Sequence, residues 1–258
     1  MNVLVCVKQI PDPAVPGELD SATNTLKRDG KLILDESDSY GVEMALQLVD
    51  AAGTGEVTLV SMAPNGEVGG VRQALAMGAH KAILVSDPEL AGSDALTTAK
   101  VLAKCVERAG GIDLVIAATE STDGYTGTVP GQLAQILGWP ALTFAKKVTI
   151  NGTLVQIDRQ TESGYDVVEA SLPAVVSVTA GVVEPRYPSF KGIMAAKSKP
   201  VDQVTASDLG VDPVGWAGAG QQITNVGAAE ARQAGEKIED DGTAHERIIA
   251  FLEQLKVI

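Results

Sequence analysis

Basic residues are in short supply in this chain. Lys and Arg number 20 against 33 Asp and Glu, a formal net charge of −13 over 258 residues. Nucleic acid or an anionic membrane calls for a broad basic face, so neither is an expected partner. Cysteine and histidine are almost absent. Cys6, Cys105, His80 and His245 stand far apart, too few and too scattered for a structural zinc site or a disulfide framework. The longest nearly polar-free run, Leu172 to Val183, is broken by Pro173 and Gly181 and is too short to span a bilayer. Met1-Asn2 before Val3-Leu4-Val5-Cys6-Val7 lacks a basic n-region and a cleavage site, so the run reads as a first strand and not a signal peptide. A soluble, cytoplasmic protein without stable membrane insertion is expected.

Catalytic signatures are missing as well. There is no Walker loop, Gly-x-Ser-x-Gly elbow or His-Glu-x-x-His. Gly218-Ala219-Gly220 begins like a dinucleotide fingerprint, but it follows no strand, and Ile223 stands where the third small residue belongs. His80 sits at a helix end, where an imidazole suits the dipole. His245 falls on the last helix. Neither has a nucleophile or acid at a telling spacing. Asp240-Asp241 reads as part of a solvated acidic run.

What is present is alternation. Near-continuous apolar runs at Val3–Val7, Val57–Ser61, Ala82–Val85, Leu114–Ala117 and Ala174–Thr179 have the texture of strands buried on both faces. Between them lie amphipathic stretches. Val42, Ala45, Leu46 and Val49 define the first, and Val68, Val71, Ala74 and Leu75 the second. Ala95, Ala99, Leu102, Cys105 and Val106 define a third, capped by Ser93 or Asp94. A fourth carries Leu133, Ile136 and Leu137 and stops at Gly138. The pattern predicts an α/β fold, a doubly wound, mostly parallel Rossmann-like sheet. Two excursions are expected: a hairpin over Leu26–Leu34 turning at Asp29-Gly30, and an antiparallel patch from Lys147 to Leu172 turning at Asn151-Gly152 and Ser163-Gly164. Residues 201–258 hold ten acids against four bases and little apolar content. They read as an arm after a 1–200 nucleotide-binding domain, either disordered or wrapped on another surface.

Two segments invite a function. The loop Ala118–Val129 is rich in Gly and hydroxyls, follows a strand and runs into a helix. Open parallel sheets bind ligands at that rim, and a helix N-terminus offers amides to a phosphate. Cys6, Asp35–Asp38 and Met62 end neighbouring strands and would line the same crevice. The pocket suits an adenine nucleotide and holds no catalytic group. The second segment, Glu184–Pro200, carries four bases and one acid with Phe190, Ile193 and Met194 among them. An apolar cluster with a basic rim in a loop marks a contact surface.

Pro185-Arg186-Tyr187, then Ile193-Met194-Ala195-Ala196-Lys197 and Lys199, closely resemble the signature of electron transfer flavoprotein β subunits. The resemblance extends from Val3–Lys8 through Ala74–Ala79, Asp113–Ile116, Leu137–Pro140 and Leu172–Val176 to Asp208–Val211, and loosens after about Asp212. It implies an electron-carrier subunit without catalysis of its own, paired with an α subunit that holds most of a redox FAD. A structural AMP would lie in this chain. Donors would be dehydrogenases, typically acyl-CoA dehydrogenases, and the acceptor a membrane quinone oxidoreductase. Some members bifurcate electrons, with a second FAD in place of AMP. Carried over position by position, the nucleotide contacts fall on Cys6, Asp35, Glu36, Ser37, Asp38, Met62, Ala118, Asp123, Thr126, Gly127, Thr128 and Val129. Asp35-Glu36-Ser37 departs from the family's common Asn-Pro-Phe, and Gly124-Tyr125 replaces two acids. Partner docking falls on Arg186, Tyr187, Phe190, Ile193, Met194 and Lys197, with Phe190 at the tip of the 188–197 loop where Leu is usual. The arm after Pro200 would wrap the α subunit. A nucleotide-sensing module of the universal-stress type would explain the crevice but neither the docking segment nor the arm.

Overall fold

A computed structural model describes residues 1–227, 230, 235 and 237–258. In chain order the strands are β1 (Val3–Cys6), β2 (Gln9–Pro11), β3 (Leu32–Leu34), β4 (Val57–Met62), β5 (Lys81–Val85), β6 (Leu114–Ala118), β7 (Ala141–Asn151), β8 (Leu154–Thr161), β9 (Gly164–Ser171), β10 (Ala174–Val178) and β11 (Val201–Val204). The helices are α1 (Glu36–Ala52), α2 (Gly69–Met77), α3 (Ala95–Ala109), α4 (Val129–Leu137), α5 (Phe190–Ala196), α6 (Gly215–Gly218) and α7 (Ala244–Gln254). Contacts divide the chain into two compact units, Met1–Ile223 and Thr224–Ile258.

The first unit is the expected doubly wound α/β sheet. Nine strands run in the order β11-β5-β4-β1-β6-β10-β7-β8-β9, parallel from β11 to β7 and antiparallel from β7 to β9. The apolar runs are buried on both faces because each face has helices. Val3, Val5 and Ile116 meet Val42, Ala45 and Leu46 of α1 and Val71 and Leu75 of α2. Leu4, Val60 and Val115 meet Ala99, Leu102 and Cys105 of α3 and Leu133 of α4. β1 lies between β4 and β6, and the chain winds outward in both directions from that pair. The crevice at the carboxyl ends of β1 and β6 is therefore the topological switch point, where such sheets bind ligands.

The antiparallel patch forms with both expected turns. The hairpin over 26–34 does not. Leu32–Leu34 pairs antiparallel with Gln9–Pro11, and Leu26 bridges Leu19. Long-range burial outweighs the local turn. Ile10, Leu32 and Leu34 bury their side chains, the Gln9 side chain accepts from the Gly70 amide (2.9 Å), and Leu34 N–H donates to Gln73 Oε1 (2.7 Å). Lys27-Arg28 could offer no such apolar partner.

The boundary expected at Pro200 falls later. β11 adds an edge strand beside β5, and Val204, Ala206 and Val214 enter the core, so 201–223 belongs to the first unit. In the second unit, α7 carries Ile248, Ile249 and Phe251 exposed. Positions 228–229, 231–234 and 236 of the expected arm lie outside the described residues. No described helix is long and apolar enough to cross a membrane.

Candidate functional site

The loop after β6 is framed by carboxylates, and each has work inside the protein. Asp35 is fully buried. Its Oδ1 accepts from the Ser37 amide (3.0 Å) as the N-cap of α1, which ends the β3 connection and starts the helix. Its Oδ2 accepts from the Thr122 amide (2.8 Å) and hydroxyl (3.1 Å). One side chain thus ties the start of α1 to the loop. Asp38, also buried, accepts the Lys8 amide at 2.6 Å. Burial pushes its carboxyl well above the usual range, against the opposing pull of that hydrogen bond.

Asp123 closes the frame. It accepts from Lys8 Nζ (2.7 Å) and from the guanidinium of Arg28, and its side chain is 5% exposed. Burial raises its pKa, but the two cations outweigh it and hold the carboxyl below the ordinary carboxylate value. Lys8 Nζ also donates to Ser121 Oγ (3.2 Å). The long excursion between β2 and β3 thereby reaches across to the loop through Arg28.

Beyond the frame the loop presents backbone. Tyr125 and Gly127 adopt positive φ (49° and 68°), which turns the chain toward α4. Among the described residues the amides of Thr126, Gly127 and Thr128 find no acceptor, and the first turn of α4 has no side-chain cap. Gln132 Oε1, in that same turn, is buried without a partner. Free amides ahead of an uncapped helix, at a switch point and beside Lys8 and Arg28, fit a phosphate.

The expected residues fall into two sets. Thr126, Gly127, Thr128 and Val129 form the amide ledge. Asp35, Asp38 and Asp123 form the frame, their carboxylates committed to other partners. Cys6 and Ala118 are buried at the ends of β1 and β6, and Met62 ends β4. Burial, with Asp38 nearby, raises the Cys6 thiol pKa far above its ordinary value, so the thiol stays protonated. Glu36 is exposed in the first turn of α1, and Ser37 contributes its amide to the cap. Sequence reasoning missed Lys8, Arg28, Thr122 and Gln132. Lys8 had a signal, as the first charged residue after β1; Arg28 had none. A cavity of about 760 Å³ lies elsewhere, lined by Met1, Leu48, Ile112, Ile150 and Pro173 at the opposite end of β1 and β6. No described cluster of His, Cys, Asp or Glu could hold a metal ion.

The second expected surface is the outer side of a short helix, α5, whose Gly192 packs closely against α2. Tyr187, Phe190, Ile193 and Met194 of the 187–194 segment are 93%, 80%, 47% and 50% exposed, and Lys191 and Lys197 are exposed beside them. Ser189 caps α5 by accepting the Gly192 amide (3.0 Å).

Known proteins are similar to this chain in sequence. The family model described as "Electron transfer flavoprotein domain" matches residues 23–209. The electron transfer flavoprotein subunit beta of Mycobacterium tuberculosis is 40% identical, the alignment covering 100% of this chain and 99% of that protein. The chain belongs to the electron transfer flavoprotein β-subunit family. Its counterpart from Thermoanaerobacterium thermosaccharolyticum is 36% identical over 92% of this chain and 91% of that one. Subunit CarD of the caffeyl-CoA reductase-Etf complex of Acetobacterium woodii is 35% identical over 83% of this chain and 81% of its own. Members of this family serve as flavoprotein electron carriers and not as catalysts in their own right. Family membership also removes the universal-stress reading.

Proposed function

We propose that this chain is the β subunit of a heterodimer that shuttles electrons from dehydrogenases, in fatty acid oxidation typically acyl-CoA dehydrogenases, to a membrane quinone oxidoreductase. The FAD that carries the electrons is held mainly by the α subunit, and this chain helps enclose it. The flavin supplies the redox chemistry; the residues here bind and orient. The observation that carries the reading is the ledge of free amides at Thr126–Val129, set at the switch point of an electron-carrier subunit.

An AMP phosphate accepts from that ledge, while Cys6, Met62 and Ala118 give the base and sugar a floor. Oxygens of Asp35 and Asp38 are already engaged by Ser37, Thr122 and the Lys8 amide, and burial favours the neutral form of Asp38. The second unit, after Ile223, extends onto the α subunit, where the exposed apolar side chains of α7 gain a surface to cover.

The Pro188–Lys197 segment docks the donor. Phe190 at its tip fills a pocket on the dehydrogenase, and Lys191 and Lys197 steer an acidic rim toward it. Removing such an anchor costs roughly 2 kcal/mol of docking, about thirtyfold in uptake at limiting donor. The test is stopped-flow reduction of the heterodimer's flavin by an acyl-CoA dehydrogenase reduced with its acyl-CoA. Phe190→Ala should slow reduction at limiting donor and leave FAD content and melting temperature unchanged. Unchanged uptake would remove Phe190 as the anchor.

A further inference from the structure

The docking segment is clamped at both ends, and only one clamp is made by paired side-chain charges. On the far side of α5, Arg72 donates to the carbonyls of Ala196 (2.6 Å) and Lys199 (2.7 Å), and Lys199 Nζ donates to the carbonyls of Leu75 (2.9 Å) and Ala79 (2.6 Å). Gly192 lies so close to α2 that a Cβ there would sit 2.5 Å from the Ala76 carbonyl oxygen. On the near side, immediately before Tyr187, Arg186 forks onto Glu43 of α1. Nε reaches Oε2 at 2.7 Å, Nη2 reaches Oε1 at 3.1 Å, and the Arg186 amide donates to Oε2 at 3.3 Å.

Glu43 is buried, its side chain 4% exposed, and Gln47 Nε2 donates to its Oε1 at 2.8 Å. Burial works against its charge, but the Arg186 and Gln47 hydrogen bonds prevail and keep it ionised. A carboxylate taken out of water for one arginine is a poor device for stability, since an apolar side chain on α1 would do as well. It is a good device for direction. Three bonds from one carboxylate to one residue's backbone and fork fix both the position and the heading of the chain at Arg186.

We infer that Arg186 and Glu43 are positioning residues for electron uptake: their fork sets the angle at which Tyr187 and Phe190 leave the domain, so that the apolar tip is presented ready-made to the donor. The inference rests on the docking reading above. A rigid anchor loses little conformational freedom on binding, and a loosened one must be ordered by the partner. Arg186→Lys keeps the charge and loses the fork. It should raise the donor concentration needed for half-maximal reduction about fivefold, leaving the maximal rate and the FAD content unchanged. Hydrogen exchange at the amides of 187–193 should quicken in the same variant, with the rest of the sheet unmoved.

A double-variant cycle in the heterodimer separates positioning from general damage. If the fork acts through Phe190, Arg186→Lys adds nothing once Phe190 is Ala, and the double variant matches Phe190→Ala within about twofold. Multiplying effects would overturn the inference, as would an Arg186→Lys protein with wild-type uptake alongside an impaired Phe190→Ala. Phe190→Ala with wild-type uptake would instead bring down the docking reading. Glu43→Gln, which retains hydrogen bonds to Arg186 without the charge, serves as the milder second variant and should fall between wild type and Arg186→Lys.

Discussion

The crevice loop after β6 and the docking segment after β10 use charge in the same way and expose different things. In both, charged residue types are spent on the protein itself: Asp35, Asp123, Lys8 and Arg28 in the first, Glu43, Arg186, Arg72 and Lys199 in the second. What faces outward is backbone amide in the crevice and apolar side chain on α5. The contrast suits the partners proposed for each. A phosphate is recognised by amides that carry no counter-charge of their own, and a protein groove by apolar anchors. Charge builds both frames; amides and an apolar tip make the contact surfaces, with Lys191 and Lys197 at the rim of the second.

Breaking the crevice frame should have the largest effect. Asp35→Ala removes the α1 cap, about 1 kcal/mol, and orphans the Thr122 amide and hydroxyl, about 1–3 kcal/mol more. The heterodimer should melt markedly lower and lose its nucleotide; if it keeps both, the carboxylate is not the strut described. Asp123→Asn comes next, costing about 2 kcal/mol because Lys8 and Arg28 lose their charged partner. Its pH dependence is distinctive. The lowered pKa of Asp123 means that its stabilisation is present above the ordinary carboxylate range and is lost as pH falls through the lowered value. The Asn variant should therefore lose part of the acid limb of the wild-type stability profile.

Asp38 sharpens the comparison from the other side, because burial and not pairing governs it. An acid whose pKa is raised on folding weakens the native state as pH rises from the ordinary carboxylate range through the raised value. Asp38→Asn retains an oxygen to accept the Lys8 amide. The substitution should flatten the decline in melting temperature between mildly acidic and neutral buffer. An unchanged decline would show that the carboxylate is held ionised. The smallest effect belongs to a surface pair outside both sites. Lys81→Ala removes a partner of Glu56, both half-exposed, and should shift stability by no more than about 0.5 kcal/mol.

Much of this was legible in the residues. The apolar runs announced the parallel sheet because strands buried on both faces have no polar alternation to confuse them. Asn151-Gly152 and Ser163-Gly164 announced the antiparallel patch, and Gly138 the end of α4. The β2–β3 ribbon was not legible, since its partners stand over twenty residues apart and the nearby Asp29-Gly30 is itself a good turn. Nor was β11, a four-residue edge strand with Asp202 and Gln203 in its middle. In the crevice, sequence order could nominate Asp35, Asp38 and Asp123 but not say where their oxygens point. That required Thr122 and Arg28, brought close only by the fold.

The most direct test of the amide ledge is the nucleotide content of this chain copurified with its α subunit, released by denaturation and identified by mass spectrometry. One AMP and one FAD per heterodimer is the result the account predicts. Two FAD and no AMP would contradict it, leaving the family and the fold in place but giving the crevice to a second flavin.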